Sequence, residues 1–204
     1  MPNFAFEKAC PAAPVAGIDE AGRGPLAGPV VAAAVIFDAA RLPRKIARAI
    51  DDSKKLAPET RETLFEAIRP YAEIGIGQAS VEEIDRYNIL KATFLAMYRA
   101  LVALPRVPAI ALVDGNQAPK LGCEVRTIVG GDGISLSIAA ASIVAKVTRD
   151  RLMTSLASTY PGYGWITNKG YGTAEHRAAL LHLGPCAEHR RSFSLLPEDR
   201  LIDD

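Results

Sequence analysis

The sequence has few cysteines and lacks the segments that mark secreted or membrane proteins. Cys10, Cys123 and Cys186 lie far apart in 204 residues without a Cys-x-x-Cys pair, which argues against a disulfide scaffold or a zinc ribbon. No basic segment followed by an apolar one stands near the N-terminus, so we expect no secretory signal. The longest uncharged apolar stretch, residues 25–37, is shorter than the roughly 20 residues of a membrane span. We therefore expect a cytoplasmic protein that does not enter a membrane.

An excess of charge of one sign is also missing. The 24 basic and 23 acidic side chains give a net charge of +1, so the total gives no reason to expect a nucleic-acid partner. Charge placement is more informative, because residues 115–196 carry nine basic and five acidic side chains, whereas residues 1–114 carry 14 of each. The C-terminal third is a candidate surface for a polyanion, although most imbalances of this kind are only solvated faces.

The apolar fraction of 49% excludes disorder as the dominant state, and the length suits one self-sufficient core. Short β-branched runs bounded by turn residues predict five strands, at residues 15–19, 30–37, 74–79, 109–113 and 125–129. Longer periodic segments predict helices at residues 58–68, 81–104, 135–156 and 173–183. Ser80 and Glu83 have the spacing of a capping box at the start of the second helix. This order predicts a mixed α/β domain, with a frayed acidic tail at 197–204.

Two adjacent carboxylates, Asp19 and Glu20, close the first predicted strand and precede a glycine-rich turn that contains Arg23. A carboxylate beside a buried strand is costly unless it is paired or binds a cation. One interpretation makes both acids turn residues, one of them paired with Arg23. Because neighbours on a strand point to opposite faces, both acids serve one site only if the strand ends between them.

Two further acids follow apolar strands. Asp114 ends the fourth strand before Gly115, and Asp132 follows the fifth strand and two glycines. Each alone reads more simply as a turn residue, but three strands that end in a carboxylate plus glycine indicate one shared crevice. Oxygen ligands without histidine or cysteine suit magnesium or manganese, and two such ions about 4 Å apart would support phosphodiester hydrolysis.

In combination, these motifs resemble the type 2 ribonuclease H family, ribonuclease HII. The resemblance extends in order over roughly residues 15–195. Its blocks are residues 17–24, 52–56, 113–116, 131–132, 137–150, 168–173 and 189–193. It implies an RNase H-like α/β fold, with a mixed five-stranded sheet flanked by helices. It further implies a catalytic domain at residues 1–158 and a helical C-terminal extension at 159–204 that contributes to substrate binding.

The resemblance assigns the acids to a metal centre and the first glycine-rich loop to the substrate. Asp19, Glu20, Asp114 and Asp132 match the family's catalytic, metal-binding carboxylates, with Mg²⁺ or Mn²⁺ as cofactor and two ions expected during catalysis. The loop Gly22, Arg23 and Gly24 matches the segment that senses the ribose 2′-hydroxyl, and Tyr171 matches the tyrosine that meets the same sugar. From spacing alone, Tyr171 reads as a buried tyrosine with a satisfied hydroxyl.

Candidate phosphate contacts are Ser53, Lys54, Ser142, Lys146 and Lys169. Lys146 and Arg149 are three residues apart on a predicted helix and are expected to share a face, although a plain surface role is equally open for each basic residue. The three histidines, His176, His182 and His189, show no spacing typical of metal ligands. The sequence departs from the family's usual residues at Gly133, Ile134 and Asn168, which affects only secondary substrate contacts.

The activity implied is that of a metal-dependent endonuclease. It would hydrolyse the RNA strand of RNA–DNA hybrids and cut on the 5′ side of ribonucleotides embedded in duplex DNA, leaving 3′-hydroxyl and 5′-phosphate ends. Two alternatives stay open, a non-catalytic hybrid-binding module of the same fold and a related nuclease without ribose selectivity. We expect a monomer.

Overall fold

Residues 1–196 are described by a computed structural model of the chain, and the tail expected to fray, 197–204, lies outside the described residues. The five strands are β1 Val15–Ala21, β2 Val30–Phe37, β3 Ala72–Ala79, β4 Ile110–Asp114 and β5 Glu124–Ile128. The helices are α1 Ala5–Lys8, α2 Arg44–Ala49, α3 Pro58–Ile68, α4 Val81–Tyr87, α5 Ile89–Val102, α6 Leu136–Thr159, α7 Trp165–Asn168 and α8 Ala174–Leu183. Short 3-10 turns occupy Ser53–Lys55, Arg69–Tyr71 and Gly131–Gly133.

The strands form one mixed five-stranded sheet in the order β3-β2-β1-β4-β5. β2 runs antiparallel to β1 and β3, whereas β1, β4 and β5 are parallel. In this register Ile18 pairs with Val113, and Asp114 pairs with Ile128. The sheet flanked by helices confirms the predicted fold class.

Helices cover both faces of the sheet, since the central strands are apolar on both sides. α6 packs against β1 and β2 on one face, and α5 packs against β2 and β3 on the other. Gly17 permits the close approach of α6, because a Cβ at this position would collide with the backbone of Ser137 and Ile138. The position of the first turn of α6 is therefore fixed against β1, the strand that carries the first acidic pair.

The predicted helix 81–104 is wrong in its continuity, because the structure divides it into α4 and α5 at Asn88. Asn88 has a left-handed φ of 71°, and its side chain accepts a hydrogen bond from the amide of Lys91 at 3.1 Å. With its ψ of 163°, this is a conformation that residues other than glycine rarely adopt, and the side chain of Asn88 caps the next helix at once. The capping box predicted for Ser80 and Glu83 is present at the start of α4.

The segment after α6 forms a small apolar cluster of its own. Trp165 of α7 stacks on Tyr163 with ring centroids 5.2 Å apart, and both pack near Leu26 and Leu180. The helical extension is thus in contact with the glycine-rich loop that follows β1, while the division at residue 158 stays a prediction. Within residues 1–196, no helix combines the length and apolarity needed to cross a membrane.

Candidate metal centre and substrate-facing loop

Three carboxylates meet at one edge of the sheet. Asp19 comes from β1, Asp114 from the end of β4, and Asp132 from the turn after β5. One oxygen atom from each lies within 4.8 Å of the others. The pairing of Ile18 with Val113 explains the meeting, because it places the next residue of each parallel strand side by side. The convergence expected from the three strand ends is therefore present for these three acids.

Backbone hydrogen bonds hold the side chains of Asp19 and Asp114 in place. The amide of Gly131 donates to Oδ1 of Asp114 at 2.7 Å, which ties the end of β4 to the turn that carries Asp132. Gly130 begins this turn with a left-handed φ of 66°, a conformation that favours glycine. Oδ1 of Asp19 accepts from the amide of Glu20 at 2.7 Å. The two glycines before Asp132 thus shape the turn that brings its carboxylate to the other two.

The electrostatics of this acid centre, defined as Asp19, Asp114 and Asp132, favour a bound cation. Burial and the neighbouring carboxylates raise the pKa of Asp19 well above its ordinary value. Burial and the charge of Asp114 also raise the pKa of Asp132, although Lys54 opposes this with its ammonium 3.3 Å away. A donor set of carboxylate oxygens alone fits a hard divalent ion such as Mg²⁺ or Mn²⁺.

Glu20 lies outside the group of three oxygen atoms. β1 continues to Ala21 and does not end between Asp19 and Glu20, yet Glu20 lies near enough to the acid centre that its charge raises the pKa of Asp19. The expectation that both acids serve one site only if the strand ends between them is therefore too strict. Glu20 pairs with Arg23 at 3.4 Å, which is the pairing that the sequence left open. It also shares a narrow cleft of about 60 Å³ with Asp114 and Gly115. Burial raises the pKa of Glu20, and Arg23 counteracts the rise.

The loop Gly22–Gly24 and Tyr171 are adjacent. A Cβ on Gly24 would lie 3.9 Å from Cε1 of Tyr171. Tyr171 is 44% exposed, so the interpretation of it as a buried tyrosine is wrong. Lys146 Nζ lies 5.9 Å from the centre of its ring. An exposed aromatic ring and a glycine loop therefore stand together on the surface, where a sugar can be approached closely.

The candidate phosphate contacts occupy two places. Ser53 and Ser142 are buried with their hydroxyl oxygens 2.6 Å apart, next to Lys54 and hence to the acid centre. Lys146 is paired with Asp150 at 2.8 Å. Lys169 donates to a hydroxyl and a carbonyl in a separate cleft of about 360 Å³ between α3 and α6. The structure thus groups Ser53, Lys54 and Ser142 at the acid centre and places Lys169 apart from it.

Sequence reasoning missed two arginines. Arg149 shares a face of α6 with Lys146, as predicted, since the two cations lie 6.0 and 5.9 Å from the centre of the Tyr171 ring. Its side chain is fully buried, however, and so is that of Arg190. Both donate to backbone carbonyls of residues 22–29. In the sequence, the importance of Arg190 was indicated only by its place in a block that matches the family. Its acceptors are backbone carbonyls more than 160 residues away, which the sequence pattern around Arg190 does not reveal.

The histidines also form a contact that their spacing did not suggest. Nε2 of His176 lies 3.0 Å from Nε2 of His189, and both residues are buried. Nδ1 of His176 contacts the carbonyl of Tyr171 at 2.9 Å, and Nδ1 of His189 accepts from the amide of Cys186 at 3.0 Å. Burial and the charge of its partner lower the pKa of His189 to about 4, so the pair is neutral at physiological pH. Within the extension, the pair connects the segment around His189 to α8 and to the carbonyl of Tyr171.

Comparison with known proteins gives a consistent result. The family model described as ribonuclease HII matches residues 16–196. The chain is 64% identical to a ribonuclease HII from Paramagnetospirillum magneticum over 180 residues, 88% of this chain and 90% of that protein.

Two solved structures are similar in fold along most of their length. Ribonuclease H2 from Pyrococcus horikoshii has a TM-score of 0.73 and 28% identity, over 89% of this chain and 94% of that one. Ribonuclease HII from Archaeoglobus fulgidus, solved in complex with PCNA, has a TM-score of 0.75 and 29% identity, over 92% of this chain and 97% of that one. With its carboxylates gathered at the sheet edge beside a glycine loop and an exposed tyrosine, the chain belongs to the ribonuclease HII family and is an endoribonuclease, a phosphodiester hydrolase.

Proposed function

We propose that this enzyme cuts on the 5′ side of ribonucleotides embedded in duplex DNA, as well as along the RNA strand of RNA–DNA hybrids, and leaves 3′-hydroxyl and 5′-phosphate ends. The observation that carries this proposal is the position of the acid centre beside the loop Gly22–Gly24 and Tyr171. The acid centre supplies ligands for the cofactor. The loop and the tyrosine supply a surface that can test for a 2′-hydroxyl, the group that separates RNA from DNA.

The four acids hold Mg²⁺ or Mn²⁺ in this proposal. Asp19 would anchor the metal, Glu20 and Asp114 would complete its ligand set, and Asp132 would hold the ion that handles the water or the leaving oxygen. Bound divalent ions would supply the activation of water and the neutralisation of charge that phosphodiester hydrolysis requires. Glu20 would have to leave its contact with Arg23 to join the other three, which the weak, partly exposed pair at 3.4 Å permits.

The remaining residues position the duplex. Ser53, Lys54 and Ser142 lie next to the acid centre and would contact the phosphate nearest the cut. Lys146 and Lys169 would contact phosphates further along, with the extension after residue 158 providing the second surface. Such contacts fix the register of a duplex without reading its sequence. We infer from this arrangement that one chain suffices for binding, while the cytoplasmic location stays a prediction.

The alternative of a nuclease without ribose selectivity uses the same acids but has no need for an exposed tyrosine against a glycine loop. The alternative of a non-catalytic binding module does not require three carboxylates within 4.8 Å, an arrangement that is unfavourable without a cation. Both observations favour the ribose-selective enzyme.

The test uses a DNA duplex with one ribonucleotide, an all-DNA duplex of the same sequence and an RNA–DNA hybrid, each with Mg²⁺ or Mn²⁺. We expect cleavage of the first and third and mapping of the cut to the 5′ side of the ribonucleotide. Asp114→Asn keeps the acceptor for the amide of Gly131 but removes the charge, and it should lower kcat by about a thousandfold, or roughly 4 kcal/mol. Equal cleavage of the all-DNA duplex, or unchanged cleavage by the variant, would overturn the proposal.

A further inference from the structure

The carbonyl groups of the loop that follows β1 are gathered around one side chain. Arg190 is fully buried, and its guanidinium donates to the carbonyls of Gly22 at 2.6 Å, Arg23 at 3.0 Å and Pro25 at 2.8 Å. It donates two further hydrogen bonds to the carbonyl of Gly28, at 2.9 and 2.8 Å. All five N–H groups of the guanidinium are thus used on a single loop.

A second buried guanidinium lies beneath the same loop. Arg149 of α6 donates to the carbonyls of Ala27 and Pro29, both at 3.1 Å. Its third bond, at 3.0 Å, goes to the carbonyl of Lys169 and so reaches the segment that carries Tyr171. Gly22 rests directly on this side chain, because a Cβ there would collide with Arg149. We call Arg149 and Arg190 the arginine pair.

The loop and the tyrosine segment are joined by further contacts. The amide of Leu26 donates to the carbonyl of Gly170 at 2.8 Å. The guanidinium carbon of Arg149 lies 6.0 Å from the centre of the Tyr171 ring. Gly24 and Tyr171, which belong to two segments almost 150 residues apart, therefore form one surface that is supported from below by the arginine pair.

This support sets the direction of the loop's amides. In a planar trans peptide the C=O and N–H point in opposite directions. Because the carbonyls of Gly22 and Arg23 are turned inward to Arg190, the amides of Arg23 and Gly24 are turned away from it, toward the outer side of the loop. Within residues 1–196, neither amide donates to a protein acceptor. They are two fixed donors, available for a hydroxyl oxygen of a ligand.

Two like charges are buried to achieve this arrangement. No carboxylate of residues 1–196 forms an ion pair with either arginine. Burial and the neighbouring Arg149 lower the pKa of Arg190 to about 9, and burial also lowers the pKa of Arg149. Apolar residues of similar volume would avoid the cost of burying a cation, but they would leave the loop carbonyls without donors. What they cannot do is hold several carbonyls at once in a plane, which the rigid guanidinium does.

We propose that Arg190 and Arg149 are positioning residues for ribose selection, which hold the amides of Arg23 and Gly24 and the ring of Tyr171 in the geometry that receives a 2′-hydroxyl. This inference rests on the proposed function and deepens it. Neither arginine touches the substrate. They act through the loop Gly22–Gly24. Lysine cannot replace them, because its ammonium is a point donor that cannot span the four carbonyls held by Arg190 or the three held by Arg149.

The test measures selectivity rather than activity. For wild type, Arg190→Lys and Arg149→Lys, kcat and KM are determined on a duplex with one ribonucleotide and on the same duplex with deoxyribose at that position, with Mn²⁺. We expect kcat/KM on the ribonucleotide to fall about 10- to 100-fold in each variant, the effect of weakening one or two hydrogen bonds in the transition state. The fall should be in kcat, with KM changed less than threefold, and cleavage of the all-DNA duplex should not fall in parallel.

The ratio of the two kcat/KM values separates positioning from mere folding, because a smaller folded fraction lowers both values equally. Arg151→Lys is the matched control, since Arg151 also lies on α6 but is exposed and paired with Glu62. Its ratio should equal that of wild type. If either arginine variant cannot be purified folded, the other provides the measurement, as each supports the same loop.

The outcomes distinguish the two proposals. If wild type does not discriminate between the two duplexes, the proposed function fails. If wild type discriminates and the folded arginine variants keep the wild-type ratio within twofold, the proposed function stands and the positioning role is overturned.

Discussion

Two clusters of like charge, the acid centre and the arginine pair, differ in what satisfies them. The acid centre buries carboxylates that are within 4.8 Å of one another and have few protein donors. The arginine pair buries two cations whose N–H groups make eight hydrogen bonds to backbone carbonyls. The first cluster is incomplete without a ligand, whereas the second is completed by the chain itself. Burial of charge alone therefore does not identify a binding site; the unsatisfied hydrogen-bonding capacity does.

The same difference separates the effects of mutation. Removing a charge from the acid centre relieves repulsion in the metal-free protein. Removing a guanidinium leaves several buried carbonyls without donors, and each costs about 1–3 kcal/mol. Neutralising a residue of the acid centre should therefore raise the free energy of unfolding of the metal-free protein. Neutralising a residue of the arginine pair should lower it.

The largest effect is expected for Arg190→Met. Loss of five hydrogen bonds to four carbonyls should lower the free energy of unfolding by about 3–5 kcal/mol, measured by urea denaturation. Arg106→Met is the control, because its pair with Glu73 is exposed and should contribute less than about 1 kcal/mol. A loss below about 1 kcal/mol for Arg190→Met would show that the loop does not depend on the guanidinium and would remove the contrast.

An intermediate effect of the opposite sign is expected for Asp19→Asn. Since burial raises the pKa of Asp19 in the folded state, the folded chain binds its proton more tightly than the unfolded chain does. The metal-free wild type therefore loses stability as pH rises above about 4, the ordinary carboxyl pKa, toward the folded pKa. Asparagine removes this loss and keeps the acceptor for the amide of Glu20. At pH 7 without metal, the variant should melt about 2–4 °C higher, which corresponds to about 1 kcal/mol.

Mn²⁺ should reverse the order of the two melting temperatures, so that the wild type melts above Asp19→Asn. The wild type gains stability by binding the ion, whereas Asp19→Asn lacks a ligand and gains little. Thermal melts with chelator and with Mn²⁺, recorded side by side, measure both parts. A metal-free variant that melts below wild type would mean that the acid centre is satisfied by the protein, like the arginine pair.

The smallest effect is expected at Lys54, the one cation of residues 1–196 whose side chain pairs with the acid centre. Its side chain is 79% exposed and lies 3.3 Å from Asp132, so Lys54→Met should change stability by less than about 1 kcal/mol. Removal of its charge should strengthen Mn²⁺ binding about two- to fivefold at pH 8 and raise KM for a duplex by a similar factor. Isothermal titration and steady-state kinetics at two salt concentrations measure these changes. Lys45→Met on α2 serves as the control, and weaker Mn²⁺ binding by Lys54→Met would show that the ammonium supports the acid centre rather than competing with a cation.

The fold could be predicted from the sequence where local pattern decides it. The β-branched runs predict all five strands to within a few residues, and the capping box at Ser80 marks the start of α4 correctly. The break at Asn88 could not be predicted, because neither glycine nor proline marks it and the surrounding apolar pattern is helical on both sides. There a single left-handed residue outweighs the periodicity.

The site divides in the same way. Asp19, Asp114 and Asp132 were predicted to converge because each follows an apolar strand, a relation visible in the chain. The burial of Arg149 and Arg190 was not predicted, since their partners are carbonyl groups that every residue possesses, and all of these except that of Lys169 lie about 120 to 168 positions away. The contact between His176 and His189 was not predicted either, because a separation of 13 residues with α8 ending between them has no regular period.

The parallel register of β1 on β4 also restricts how the gene can change in length. A residue inserted within 110–113 would turn Asp114 to the opposite face of the sheet, because side chains alternate along a strand. Insertions between Asp114 and Glu124, where β4 and β5 are joined by an exposed loop, leave this register intact. Among descendants of this gene, length variation should therefore accumulate in that loop and be absent from the four positions before it.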